Sequence, residues 1–223
     1  MLRSVAAVFA ALRPVAWRSP RSHEGLARVQ FWCIFAGFVA LGGHVGVWAV
    51  LLADLVAAHA ISPGLLGQTL AAMSVAGAGS AFVGGRIGDR LGRRWLLVIA
   101  LAGTGTAFMA LANAGSREAV IAIVLLVGLT GGFFDLSLNS LGGDYELAYG
   151  RIVMPSLHAG FSAGAAVAAL LTGLGLLARL AFSTIYLVAG VALLVIAALA
   201  LAAPLPGHQT GQGDCVRSPA TLL

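Results

Sequence analysis

The chain has 223 residues, of which 60% are hydrophobic and only 9% charged, and its mean hydropathy is +0.97. Average domains carry about 45–50% apolar and about 25% charged residues, so there is too little charge here for a soluble surface and too much apolar bulk for disorder. Two cysteines, Cys33 in an apolar run and Cys215 in the polar tail, exclude a disulfide-stapled secreted module. What remains is an integral membrane protein with room for roughly six helical spans of about 20 residues.

The first expected span runs from about Phe31 to Leu55, and Ile61-Ser62-Pro63-Gly64 breaks it, with Ser62 as N-cap and Pro63 at the first helical position. The second runs from Gly64 to Gly85 and is followed by a charged turn, Arg86–Arg94. The third covers Trp95–Asn113, and Ser116 caps the fourth, Glu118–Ser140. A longer polar connection, Gly142–Arg151, holds Asp144, Glu146 and Tyr149. The fifth span covers Val153–Leu177, Arg179 marks a tight turn, and the sixth runs from Phe182 to Ala203, where Pro204 and Pro206 end it. These runs are continuous and rich in alanine and leucine, which favours helices over the short alternating segments of a membrane barrel. The expected class is all-α, polytopic. Residues 1–28 form a basic lead-in, 29–204 the six-helix bundle and 205–223 a polar tail.

All 13 basic residues are arginine, and the formal net charge is +5 with a pI near 10.2. No basic-aromatic module accompanies them, so nucleic acid is not the expected partner. They fall between the apolar runs, where arginine encodes topology. Arg3, Arg13, Arg18, Arg21, Arg28, Arg86, Arg90, Arg93, Arg94, Arg151 and Arg217 lie on one side of six spans, and Arg117 and Arg179 on the other. Eleven against two puts both termini in the cytoplasm of a cell whose inner membrane holds the protein. Met1 to Leu12 has the outline of a short signal-peptide core, but Arg13 interrupts it, and a basic cytoplasmic lead-in is the preferred reading.

The most informative stretch is Gly85-Arg86-Ile87-Gly88-Asp89-Arg90-Leu91-Gly92-Arg93-Arg94. Gly85 and Gly88 permit close approach of helix ends, and Gly92 gives a permissive backbone for the reversal. Asp89 can accept from a helix N-terminus or pair with an arginine, while Arg90, Arg93 and Arg94 hold the turn at an anionic membrane face. The pattern G-x-[hydrophobic]-[small]-D-R-x-G-R-[R/K] between a second and a third span resembles the signature loop of the major facilitator superfamily of transporters. The resemblance implies a conformational latch between two halves, with structural and gating roles for Asp89 and Arg93.

Ionisable groups inside spans are costly and are functional hypotheses by default. Asp135 and Asn139 lie four residues apart on one face of the fourth span, and His158 falls at a similar depth near the start of the fifth. A carboxylate, an amide and an imidazole together can bind a hydroxyl-rich solute or relay a proton. Equally, Asp135 and Asn139 can serve only to cap and bond neighbouring backbone. In the first span His44 and Trp48 are again four apart, among Gly42, Gly43 and Gly46, which allow tight helix approach. Trp48 is either a stacking platform for a sugar ring or a packing aromatic. The third and sixth spans carry almost no polar groups, and Gly103-Thr104-Gly105 offers only small-residue packing.

Asp135, Asn139, Tyr149, Gly150, Arg151, Met154, Ser156, His158, Phe161, Ser162 and Gly164 together are similar to the fucose-permease-like group of bacterial major facilitator proteins. That similarity implies a small polar solute such as a sugar, moved by alternating access, with Asp135 in substrate or proton coupling and the third and sixth helices at the periphery. The fifth span lacks the glycine-proline motif of many drug/proton exchangers, which counts against drug efflux. No zinc spacing, phosphate-binding loop or catalytic serine motif is present, so no enzyme activity, cofactor, metal or catalytic residue is expected. Such transporters are built from two six-helix halves. The expected partners are therefore the lipid bilayer, a small solute, and either a second six-helix half or another copy. A truncated product, or a non-transporting scaffold, is the alternative.

Overall fold

The computed structural model describes residues 24–206. The termini on either side, with Arg3, Arg13, Arg18, Arg21, Cys215 and Arg217 and most of the expected lead-in and tail, lie outside the described residues. Among the described residues the chain forms six α-helices and no strand: α1 Glu24–Ala58, α2 Pro63–Leu91, α3 Arg93–Ala112, α4 Arg117–Tyr149, α5 Met154–Leu177 and α6 Phe182–Ala202. Each is long and apolar enough to cross a membrane.

The helix starts follow local chemistry. Ser62 Oγ accepts from Leu65 N at 3.3 Å with Pro63 directly after it, and Ser116 Oγ accepts from Ala119 N at 3.1 Å. The turns Ala57–Ile61 and Leu176–Leu180 repeat one another. In the first, Ile61 N donates to Val56 O and Ala60 N to Ala57 O; in the second, Leu180 N donates to Gly175 O and Arg179 N to Leu176 O. Ala60 (φ 48°) and Arg179 (φ 65°) occupy the left-handed position that closes each helix end. Both turns stand at the arginine-poor end of the bundle.

Three expected boundaries are corrected. The charged segment after α2 is not a loop: α2 continues through Leu91, and the chain reverses at the single residue Gly92, whose φ of 88° suits glycine. The polar connection expected at Gly142–Arg151 is also mostly helix, since α4 runs on to Tyr149. Gly142 and Gly143 are not breakers. Gly142 lies against Met154 and Leu157, where a Cβ would collide with the Met154 Sδ. The last five residues expected in the lead-in, Glu24–Arg28, belong to α1.

Packing pairs the helices as α1 with α5, α2 with α4, and α3 with α6, and α3 also lies along α4. Exchanging α1 with α4, α2 with α5 and α3 with α6 returns the same three pairs, the relation expected of an inverted repeat. Each pair meets backbone to backbone at glycine. Gly42 and Gly46 of α1 face the carbonyls of Phe161 and Ala165, Gly132 of α4 faces that of Gly77, and Gly105 and Gly190 of α3 and α6 face one another. The role expected of Gly42 and Gly46 in close approach is met.

Half of α3 is buried, through Leu97, Ala100, Leu101, Ala107 and Phe108. Thr104 also does more than pack, because its hydroxyl donates to Thr130 Oγ1 of α4 at 3.0 Å, fully buried. The open helices are α2 and α5, whose outer faces expose Val75, Phe82, Leu170 and Leu174.

Candidate functional site

Two adjacent arginines at the start of α3 reach in different directions. Arg93 Nη1 lies 2.6 Å from Asp144 Oδ2 and donates to the Ser140 carbonyl at 2.7 Å, both on α4. Arg94 donates to the carbonyls of Leu201 and Ala203 at 2.9 and 2.8 Å, capping the end of α6, where a helix presents unpaired carbonyls and partial negative charge. The sharp reversal at Gly92 puts both guanidinium groups in reach of these partners at once. Asp144 is only 1% exposed, so its charge is desolvated and held by Arg93. Removing one member of such a pair strands the other.

The remaining members of the signature turn divide. Arg86 lies over the Phe82 ring at 5.3 Å, and Asp89 and Arg90 are exposed at the end of α2. Gly88 meets Leu96 closely, but space beside Gly85 is open. The close approach expected of Gly85 belongs to its neighbour Gly84, which lies against Phe133 and Leu136.

Three residues of the same end escape notice as site residues when the sequence is read. Asp144 is one, 51 positions from Arg93. Glu146 is the second: its Oε1 accepts from Val153 N at 2.6 Å and Met154 N at 2.9 Å, which closes the start of α5. Gln30 is the third, accepting from the Tyr149 hydroxyl at 2.8 Å and so joining α1 to the end of α4. Continuation of the apolar spacing Leu138-Leu141-Tyr145 past Ser140 is the signal that would have placed Asp144, Glu146 and Tyr149, the partner of Gln30, on a helix.

Farther into the bundle, Asp135 is exposed, and Asn139 Nδ2 donates to its Oδ1 at 3.0 Å and to its carbonyl at 2.9 Å. The expected pairing on one helix face is therefore present. Asp135 lies five residues, about 7–8 Å, deeper than Ser140, whose carbonyl Arg93 holds. His158 is exposed, with its ring edge-on to Phe38 at 5.3 Å. The contact of Gly142 with Met154 and Leu157 sets His158 near the level of Asn139. Among the described residues no hydrogen bond or ion pair joins His158 to Asp135 or Asn139.

His44 and Trp48 belong to different surroundings. The His44 ring is stacked on Phe134 at 5.7 Å and lies 6.1 Å from Phe108. It is buried among aromatic and aliphatic side chains. It borders a cavity of about 210 Å³ between α1, α5 and α6 whose other walls are apolar. Trp48 is buried in an apolar cluster with Leu51, Phe108, Val124 and Tyr186. Phe134 and Asp135 are consecutive, so α4 turns Asp135 outward while Phe134 covers His44. The five residues thus form an exposed polar set and an interior set.

The family model described as Major Facilitator Superfamily matches residues 33–214. No curated protein matches the chain.

Proposed function

The chain belongs to the Major Facilitator Superfamily, and from that premise we propose that it forms the N-terminal six-helix half of a transporter for a small polar solute such as a sugar. It is a multi-pass membrane protein of transporter type, and its family acts by transport rather than by catalysis. The solute, the alternating-access mechanism and proton coupling are our reading. The observation that carries it is Asp135, an exposed carboxylate in a largely apolar span, to which the Asn139 amide donates. An intramembrane carboxylate is retained for a function that needs its charge or its proton. His158, at nearly the same level, adds a donor or acceptor for hydroxyl groups. His44 lies behind Phe134 and enters the reading as a buried support to that wall, and Trp48 as its packing.

The turn Gly85–Arg94 acts as the gate in this reading. Asp89 and Arg90 are exposed at the end of α2, on the side where a second unit would lie, while Arg93 and Arg94 hold the turn to α4 and α6. The exposed apolar faces of α2 and α5 suit a second six-helix half or another copy packed against them. The arginine distribution supports an inner-membrane protein with both termini cytoplasmic.

Uptake into proteoliposomes, with and without a candidate second half, tests the reading. Asp135→Asn is expected to abolish uptake driven by a proton gradient while leaving the protein folded; intact uptake with an unchanged pH dependence would exclude coupling at Asp135. In intact cells, a cysteine placed in the Arg86–Arg94 turn is expected to resist impermeant thiol reagents. Ready labelling from outside would reverse the orientation.

A further inference from the structure

A cavity of about 810 Å³ lies away from the exposed faces of α2 and α5 and is lined by residues of α1, α3 and α6 and of the segment after α6. It extends along α1 from Arg28 at the arginine-rich end to Gly37, about 13 Å at 1.5 Å per residue. Its walls are apolar apart from Arg28 and the Cys33 thiol; Leu97, Leu101 and Leu199 are typical. At its mouth it shares Arg28 and Trp32 with a polar recess of about 600 Å³ that Glu24, Tyr145 and Arg151 also line. Neither Arg28 nor Arg151 has a hydrogen-bond or ion-pair partner among the described residues. Trp32 is 56% exposed beside them, in the position of an interfacial aromatic.

An apolar slot a few turns deep, opening on two guanidinium groups that have no partner among the described residues, at one membrane face, has the shape and charge of a lipid site. We propose that it holds one anionic phospholipid, an acyl chain in the slot between α1, α3 and α6 and the phosphate between Arg28 and Arg151. Guanidinium suits phosphate because its donors match the oxygens in pairs. Two arginines against the single Glu24 leave the recess net positive, so it selects a headgroup of net negative charge over a zwitterion. A glycerol headgroup adds hydroxyls that can donate to Glu24. The site is independent of the solute reading, because none of its lining residues belongs to the Asp135 set or to the gate.

Cys33 in the slot wall supplies the readout. The full-length chain, carrying Cys215→Ser so that Cys33 is its only thiol, is purified in detergent and treated with N-ethylmaleimide. Phosphatidylglycerol, phosphatidylethanolamine or phosphatidylcholine of identical chains is added, and labelling is followed by mass. Phosphatidylglycerol is expected to slow labelling about tenfold, corresponding to about 1.4 kcal/mol of occupancy, and the zwitterionic lipids to have little effect. Arg28→Gln with Arg151→Gln is expected to erase that preference while the circular dichroism and elution volume stay unchanged. Ala200→Trp, which fills the slot, should protect Cys33 without lipid and remove any further effect of phosphatidylglycerol. Equal protection by all three lipids means an ordinary lipid annulus and overturns the proposal. So does protection without lipid that disappears when residues 1–22 are deleted, since the occupant is then the chain's own N-terminal segment.

Discussion

At the arginine-rich end of the bundle, helices are joined through charged and polar side chains: Arg93 to Asp144, Arg94 to the end of α6, Glu146 to the start of α5, and Tyr149 to Gln30. At the arginine-poor end the joints are mostly backbone. Ala60 and Arg179 close α1 and α5 through left-handed turns, Ser62 and Ser116 start α2 and α4, and one side chain, His59, crosses between segments. Backbone closure is short-range and survives any tilt of whole helices. A side-chain joint reaches a partner on another helix, so it breaks when those helices part. The gate proposed at the arginine-rich end would have to break such side-chain joints, while the backbone closures at the other end could stay as they are.

Breaking Asp144 should have the largest effect. Asp144→Ala leaves Arg93 without its carboxylate beside buried backbone, and a loss of about 3–5 kcal/mol is expected as a lower Tm in detergent. The double variant with Arg93→Ala should be much less destabilised than the two losses added together. Simple additivity in that cycle would show that the pair is not coupled. Glu146→Gln comes next. It keeps the shape of the cap but removes the charge that accepts two backbone N–H groups, and about 1–2 kcal/mol is expected. An unchanged Tm would sink the claim that Glu146 fastens α5.

At the other end the effects should be smaller. His59 faces the carbonyls of Leu55 and Ala114, both at 3.0 Å, and ties the end of α1 to the turn before α4. His59→Ala is expected to cost about 1 kcal/mol and to raise amide exchange at Asn113–Ser116. Exchange that stays protected there would mean the clasp is decorative. Smallest is Arg179→Gly. Relief of the left-handed backbone is offset by greater freedom of the unfolded chain, so Tm should move by less than about 1 kcal/mol in equivalent stability. A drop as large as that of His59→Ala would show that the Arg179 side chain, and not its backbone, closes the turn.

The same contrast explains what was legible beforehand. The six spans, the caps at Ser62 and Ser116, and the reversal at Gly92 depend on residues close in sequence, and each could be read. The end of α4 could not, because Gly142-Gly143 carries the composition of a breaker while serving as a contact surface for Met154 and Leu157. Nothing local in the sequence announces the pairing of Asp144 with a partner 51 residues away. The same holds for Thr104, whose hydrogen-bond partner is on another helix. The bond between Asp135 and Asn139 is legible because it lies within one helix. Helix position alone does not separate His44 and Trp48 from them, since periodicity specifies a face and not what covers it.

The crossing of α1 and α5 limits the motions open to the fold. Gly42, Gly46 and Gly164 bring main chain against main chain, and Val39, Phe161 and Ala165 present carbonyls where side chains would normally interlock. Helices that ratchet past one another do so by swapping one set of interlocked side chains for the next. Here there is no second set: a shift of one turn would drive Phe38 or Val50 into a slot that admits no side chain. The two helices therefore cannot serve as a sliding surface, and any opening of the protein must carry them together as one stiff beam, turning about its ends.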